Sequence, residues 1–135
     1  MTAFDKDIMA RTAMGEARGE GEIAMHAVMW TGMNRYTLKR WFSGATIAGT
    51  FLKRMQYDCW TPEDVNYAYI VNITDNIMLF ANALRWADMV LQGMIVDPTL
   101  GATHYHDSSI TPPFWAQKAT LTAQIGRLTF YKDVA

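Results

Sequence analysis

The sequence predicts an α+β fold that is mostly helical and carries a small antiparallel sheet. Apolar residues recur at helical spacing over most of the chain, whereas two short strand-like runs flank Gly126-Arg127 near its end. The chain has 135 residues, and 50% of them are hydrophobic, so it can bury a core without a metal or a disulfide. We therefore expect residues 1–135 to form a single domain.

The first helix is expected to end in a carboxylate. It begins with a capping box, because Thr2 is followed three residues later by Asp5. Its apolar stripe steps at every fourth residue from Phe4, and the next position of that stripe is Glu16. Glycines at positions 15, 19 and 21 indicate that the helix ends there.

Similar patterns predict the remaining elements. Further helices are expected over residues 22–34 and 47–54, from a capping signal at 61–64, and over 75–92, which is the longest. Residues 56–60 are expected to be a strand or an extended loop, residues 102–106 to be extended, and residues 121–125 and 128–131 to form a hairpin.

Composition excludes several classes of protein. The net charge of −1 argues against a nucleic-acid partner, because such binding draws on a basic field. Cys59 is the single cysteine, which rules out an internal disulfide. No apolar run approaches the roughly 20 residues of a membrane span, and the first residues lack the apolar run of a signal peptide. We therefore expect no membrane span and a cytoplasmic site of synthesis.

The densest functional signal is GEARGEGE at residues 15–22. Glycines let the backbone turn sharply and let a bulky polymer approach. Burial in the apolar stripe would favour the neutral form of Glu16, as a general acid requires near neutral pH. Glu20 lies one turn further on, where it would share a cleft with Glu16, pair with Arg18 or cap the loop. The alternative interpretation is a solvated, charged helix end.

The segment ARTAMGEARGEG at residues 10–21 resembles the signature of the SleB-type (spore-cortex-lytic) cell-wall hydrolases. The likeness continues in family order through residues 27–35, 56–60 and 97–106, and through Trp115 to residues 125–131. These blocks span nearly the whole chain, so together they form a specific signal.

The resemblance implies a lysozyme-like fold and bacterial peptidoglycan as the substrate. It also implies cleavage of the glycan strand between N-acetylmuramic acid and N-acetylglucosamine by a lytic transglycosylase mechanism, although older descriptions call family members amidases. The family's catalytic acid is the first Glu of the GEARGE block, which is Glu16 here. Two blocks depart from the family pattern: Leu128 stands where the family often has His, and Tyr57-Asp58 replaces Phe-Ser.

One carboxyl group suffices for a lytic transglycosylase. It protonates the leaving glycosidic oxygen and then acts as base while the muramic acid 6-hydroxyl closes a 1,6-anhydro ring, so no second carboxylate is required. Hydrolysis would need a second carboxylate, for which Glu20, Glu22 and Asp58 are the candidates nearby in sequence.

Substrate-binding residues are expected around Glu16. The expected set is Gln56, Trp60, His104, Tyr105, Tyr131 and Glu20. Gln56 can both donate and accept hydrogen bonds. The hydroxyls of Tyr105 and Tyr131 would orient Glu16 or stabilise developing charge.

Aromatic side chains offer flat faces on which sugar rings can lie. Such faces are expected from Trp60, Tyr105 and Trp115. Trp41 and Trp86 lie outside the family blocks, and we assign both to packing.

His104 and His106 support a different interpretation. Residues two apart on a strand point to one face, so both imidazoles could bind zinc in an N-acetylmuramoyl-L-alanine amidase. The third ligand would be His26, Cys59 or an acid such as Asp107. No H-E-x-x-H motif or cysteine pair supports that site, so we expect no metal and no cofactor, and we expect Cys59 to be a small buried hydrophobe.

The expected layout is that of a phage or prophage endolysin. Such an enzyme accumulates in the host cytoplasm and reaches the cell wall or periplasm once a separate holin opens the membrane. We expect a monomer that acts on bacterial peptidoglycan. A non-catalytic peptidoglycan-binding virion module of the same fold is a further alternative.

Overall fold

The structure, a computed structural model, describes residues 2–135 and is mostly helical with a three-stranded antiparallel sheet, as the sequence predicts. Over these residues the elements are α1 (Ala3–Ala17), α2 (Glu22–Leu38), α3 (Ile47–Leu52), α4 (Tyr67–Asn72), α5 (Met78–Leu91), β1 (His104–Asp107), β2 (Thr120–Ile125) and β3 (Leu128–Lys132). Two short 3₁₀ turns, Asp58–Trp60 and Phe114–Ala116, precede α4 and β2 respectively.

Helix α1 packs against α2, α3, α4 and α5. The predicted capping box is confirmed, because the Thr2 hydroxyl accepts the Asp5 N–H at 3.1 Å and the Asp5 carboxylate accepts the Thr2 N–H at 2.9 Å. The other Asp5 oxygen accepts the N–H of Ala48 at 2.8 Å, which fixes the start of α3 against α1.

The predicted apolar stripe of α1 enters the core at its second turn. Phe4 is exposed, whereas Ile8 and Thr12 are buried and Glu16 is half-buried. The helix therefore carries Glu16 to the edge of the core. Gly21, with a φ of 99°, then turns the chain into α2.

Residues 58–60 form a 3₁₀ turn, so the expectation of a strand or an extended loop over residues 56–60 is wrong. The N–H of Trp60 bonds to the Tyr57 carbonyl at 3.1 Å, which closes the 3₁₀ turn. This turn packs against α1 and brings its Cys59 N–H to the end of that helix.

The capping signal at residues 61–64 does not start a helix. The Asp64 carboxylate accepts the N–H of Asn66 at 2.8 Å, a local turn that competes with helix formation, and α4 begins only at Tyr67. The longest helix is α2 with 17 residues, not α5, which has 14 because residues 75–77 remain in a turn and Gln92 is its C-cap. No helix within residues 2–135 combines the length and apolar character that crossing a membrane requires.

The sheet has the strand order β1-β3-β2, and the predicted hairpin between β2 and β3 is confirmed, with Gly126 at a φ of 56°. Tyr105 pairs with Phe130 and His104 pairs with Tyr131 across β1 and β3. Because side chains alternate along a strand, Tyr105 and Phe130 face the main core, whereas His104 and Tyr131 face the opposite side.

Candidate active site

The last turn of α1 presents Glu16 to a cleft of about 640 Å³. Its Oε2 accepts the backbone N–H of Cys59 at 3.0 Å, and its Oε1 accepts a hydrogen bond from the phenol of Tyr105. Because one donor belongs to the 3₁₀ turn and the other to β1, three separate elements orient this carboxyl.

Burial raises the pKa of Glu16 above the usual value for a glutamate. The hydrogen bonds from Tyr105 and Cys59 favour the ionised form and oppose this effect, while the negative charge of Asp58 reinforces it. Desolvation is the largest of these influences, so the carboxyl retains its proton to a higher pH than an ordinary glutamate. This is the property that a general acid requires.

Tyr105 and Cys59 both remain protonated next to this carboxyl. Burial, followed by the charge of Glu16, raises the pKa of the Tyr105 phenol and of the Cys59 thiol. Tyr105 is therefore a hydrogen-bond donor to Glu16. Cys59 has no exposed surface, which confirms that it is a small buried hydrophobe.

A buried arginine, Arg35, holds the side chain of Gln56 in one orientation at the wall of the cleft. Arg35 donates to the Thr103 carbonyl at 2.6 Å and to the Gln56 side-chain oxygen at 3.0 Å. A guanidinium can only donate, so the Gln56 amide NH₂ is left to donate to a ligand. The sequence predicted no functional role for Arg35. The second helix was expected to end at residue 34, one residue before it.

Glu16 lines a second depression as well. This groove of about 280 Å³ is lined by residues 15–20 and Asn66. Glu16 therefore borders both the cleft and the groove.

The predicted binding residues divide between these surfaces. Gln56, His104 and Tyr105 line the cleft together with Glu16. Glu20 lines the groove, where its carboxylate accepts the N–H of Arg127 at 2.7 Å.

Two predicted binding residues lie elsewhere. The Trp60 indole donates to the Thr12 hydroxyl at 2.8 Å and borders a neighbouring cavity of about 420 Å³. Tyr131 is buried on the other face of the sheet, with its hydroxyl 3.0 Å from His106 Nε2. The structure thus brings Tyr131 to His106 and not to Glu16.

The two tryptophans assigned to packing behave differently. Trp86 is 9% exposed and packs edge-on against His26, which confirms its assignment. Trp41 is 59% exposed and lines the cleft, so its assignment to packing is wrong. Trp115, expected to offer a flat face, also lines the cleft.

The departures from the family pattern are accommodated locally. The hydroxyl of the buried Tyr57 lies 2.9 Å from that of Thr31, which satisfies the added polar group. Asp58 is exposed and lines the cleft, and Leu128 contributes apolar surface to the cleft wall.

The histidine pair makes hydrogen bonds within the protein. His106 Nδ1 lies 2.9 Å from the Asp107 carbonyl, its Nε2 bonds to Tyr131, and His104 Nδ1 lies 2.8 Å from the Thr103 hydroxyl. Within residues 2–135, no three His, Cys, Asp or Glu side chains converge as a metal site would require. The zinc-site interpretation therefore has no support from the geometry of these side chains.

His104 is expected to make stability depend on pH. Burial, reinforced by the Arg35 charge, lowers its pKa from 6.5 to about 3, so the folded protein binds fewer protons here than the unfolded chain. The contribution of His104 to the free energy of unfolding is fully present above pH 6.5 and is lost as the pH falls below that value. Between pH 7 and about pH 5 this group should account for a loss of about 2 kcal/mol. Urea unfolding of wild type and His104→Gln at both pH values measures it, and an equal loss in both proteins would contradict the prediction.

Fold and site together define a protein with one oriented, protonable carboxyl in an open cleft at the junction of helices and sheet. The chain belongs to the Cell Wall Hydrolase family, whose model matches residues 19–131. That match begins after Glu16, so the position of this carboxyl rests on the geometry described above.

Solved structures share the fold. The catalytic domain of the SleB protein from Bacillus cereus superposes with a TM-score of 0.71 at 21% identity, covering 97% of this chain and 91% of that one. The catalytic domain of the germination-specific lytic transglycosylase SleB from Bacillus anthracis gives a TM-score of 0.74 at 22% identity, covering 98% of this chain and 97% of that one. No curated protein sequence matches the chain significantly.

Proposed function

We propose that this chain cleaves the glycan strand of peptidoglycan between N-acetylmuramic acid and N-acetylglucosamine as a lytic transglycosylase. The observation that carries the proposal is Glu16, which borders both the cleft and the groove and whose carboxyl has a raised pKa and is held by Tyr105. Membership of the Cell Wall Hydrolase family supports the substrate. The Bacillus anthracis structure of the same fold is described as a lytic transglycosylase, which supports the reaction type.

In the proposed reaction Glu16 acts first as acid and then as base. It gives its proton to the glycosidic oxygen as the bond from that oxygen to the muramic acid C1 breaks. The resulting carboxylate takes the proton of the 6-hydroxyl of the same sugar, whose oxygen bonds to C1. The product is a 1,6-anhydro ring, and Glu16 regains its proton without consuming water.

Protein groups around Glu16 serve this cycle. Tyr105 remains a donor and stabilises the carboxylate formed midway. The Cys59 N–H holds the second carboxylate oxygen, which keeps the acid in one orientation. Gln56, fixed by Arg35, offers its NH₂ to an acetyl carbonyl or a hydroxyl of the substrate.

Hydrolysis is the second candidate, because Asp58 lines the same cleft and its charge reaches Glu16. An exposed carboxylate in that position could activate a water molecule. Glu20 is less suited, since its carboxylate accepts the Arg127 N–H in the groove.

Mass spectrometry of the soluble products from purified peptidoglycan, with and without EDTA, tests the proposal. We expect muropeptides ending in 1,6-anhydromuramic acid in equal amounts under both conditions. Reducing-end products one water heavier would establish hydrolysis instead, and Asp58→Asn would then be the next variant. Free stem peptides that vanish with EDTA would establish the amidase, and no product from folded protein would leave a binding module.

The wider biological assignment remains a proposal. Phage or prophage origin, release through a holin and action as a monomer remain predictions from the sequence. Lysis of cells that express the chain with and without a holin would test release through a holin.

A further inference from the structure

An exposed tryptophan is held rigidly at the rim of the cleft. The Trp41 ring is 59% exposed, yet its indole N–H donates to the Ala135 carbonyl at 3.1 Å. The ring also packs against the buried Phe42 ring in a T-shaped arrangement, with centroids 5.4 Å apart. The indole thus presents an apolar face to solvent. Because the side chain is already held in place, it loses little conformational entropy when a ligand binds.

A neutral imidazole and a second indole lie beside it. The His104 ring is 6.5 Å from Trp41 and 5.1 Å from Trp115, centroid to centroid, and all three side chains line the cleft. His104 packs edge-on against Phe42 at 4.9 Å, which holds the imidazole in place. Its Nδ1 bonds to the Thr103 hydroxyl, and in the described chain its Nε2 has no hydrogen-bond partner.

These groups fit an uncharged ligand with one apolar face and one polar substituent. The C–H face of a pyranose ring stacks on an indole, because both surfaces are flat and weakly polar. The free Nε2 of His104 supplies a hydrogen bond to an acetamido or hydroxyl group. Arg35, the nearby cation, is buried and already bonded to Gln56 and the Thr103 carbonyl, so it does not favour an anionic ligand there.

The position of this cluster separates it from the reacting bond. His104 and Tyr105 are neighbours on β1 and point to opposite faces, Tyr105 toward Glu16 and His104 toward Trp115. A polymer that crosses the edge strand β1 would therefore meet both sites with different sugars. The cleft volume of about 640 Å³ leaves room for more than the sugar at Glu16.

We propose that Trp41, His104 and Trp115 form a subsite for one N-acetylhexosamine ring of the glycan, away from the ring that reacts at Glu16. This subsite rests on the proposed function only for the identity of the polymer. Trp41 determines how tightly the strand is bound and takes no part in bond cleavage.

Calorimetric titration with N-acetylglucosamine tetramer tests the subsite in Glu16→Gln protein, in which turnover is strongly slowed. Adding Trp41→Ala should weaken binding about tenfold, and Trp41→Phe, which keeps a flat ring, should recover part of the loss. The matched control is Phe4→Ala, which removes an aromatic ring of similar exposure, 58%, from the start of α1, outside the cleft. Unchanged binding by Trp41→Ala would overturn the subsite.

Kinetics on soluble glycan strands provide the second measurement, with Glu16 intact. Trp41→Ala should raise KM about tenfold and leave kcat within about twofold, because the chemistry at Glu16 is untouched. A fall in kcat alone would also overturn the proposal.

If wild type cleaves peptidoglycan but Trp41 does not affect binding, only the subsite fails. If the tetramer binds through Trp41 but peptidoglycan is not cleaved, only the proposed function fails.

Discussion

Replacing Glu16 by Gln should lower the rate of peptidoglycan cleavage by about 10²–10⁴-fold, the usual contribution of a general acid. The amide has nearly the same shape as the carboxyl, but it cannot give a proton to the glycosidic oxygen. Its oxygen can still accept one of the two hydrogen bonds that hold the side chain, from Cys59 or Tyr105. We therefore expect folding to be preserved, as checked by circular dichroism and thermal unfolding.

The control for this prediction is Glu22→Gln. It makes the same chemical change in the first turn of α2, at an exposed residue outside the cleft and the groove. We expect its rate of product release, measured on the same peptidoglycan, to stay within about twofold of wild type. A Glu16→Gln protein that kept most of its rate would show that another group supplies the proton.

The pH profile identifies the acid independently. Because Glu16 must be protonated at the start of the reaction, kcat/KM should fall as the pH rises through its pKa, which burial has raised. The phenol of Tyr105 opposes that increase by stabilising the carboxylate. Tyr105→Phe should therefore move the falling limb to higher pH while lowering the maximal rate. A limb that stayed in place would mean that another group controls it.

Local signals in the sequence were sufficient to predict that the Glu16 side chain lies at the end of α1. The capping box at Thr2 fixes where α1 begins, and the spacing of the stripe through Ile8 and Thr12 then determines that Glu16 lies at the edge of the core. The hairpin likewise depends on Gly126 and its flanking residues alone. Each of these features is decided within a few residues along the chain, which is why pattern and spacing predict it.

The rest of the site depends on contacts between distant segments. Trp41 lines the cleft because Phe42 is drawn into the core beside it and because the chain end at Ala135 accepts its N–H, 94 residues away. Nothing in the residues around position 41 distinguishes that outcome from burial. Arg35 acquires its role from Gln56 in a different turn, 21 residues further along.

Tyr131 shows how strand pairing decides between two faces. Its neighbour Phe130 pairs with Tyr105 and faces the core, so Tyr131 must face the other way, toward His106. The alternation was visible in the sequence, but the register that joins β3 to β1 was not. One signal for the position of Tyr131 was present in the sequence. His104 and His106 are two residues apart on a strand and therefore share one face, and Tyr131 lies on that face.

Gly15→Ala should both destabilise the protein and reduce its activity, because Gly15 lets the 3₁₀ turn approach α1. A Cβ at this position would lie 2.6 Å from Cys59 Cβ, 2.9 Å from Cys59 Sγ and 3.2 Å from the Ile70 side chain. A Cβ cannot move without its backbone, so the turn must shift, and it would carry the Cys59 N–H away from Glu16. Overpacking of this kind costs about 1–3 kcal/mol, which urea unfolding measures.

A second substitution, at Cys59, distinguishes the steric conflict between the new Cβ at position 15 and the Cys59 side chain from other effects of adding a methyl group. Cys59→Gly removes both the Cβ and the Sγ that Gly15→Ala would meet, whereas Cys59→Ala removes only the Sγ and keeps the 2.6 Å conflict. In a double-mutant cycle, Gly15→Ala should therefore cost less stability in the Cys59→Gly background than in the Cys59→Ala background. The stability control is Gly19→Ala, whose Cβ would meet no atom within 4 Å. Equal stability of the Gly15→Ala and Gly19→Ala proteins would mean that the turn yields freely, and the Cys59 N–H would then not hold the acid rigidly.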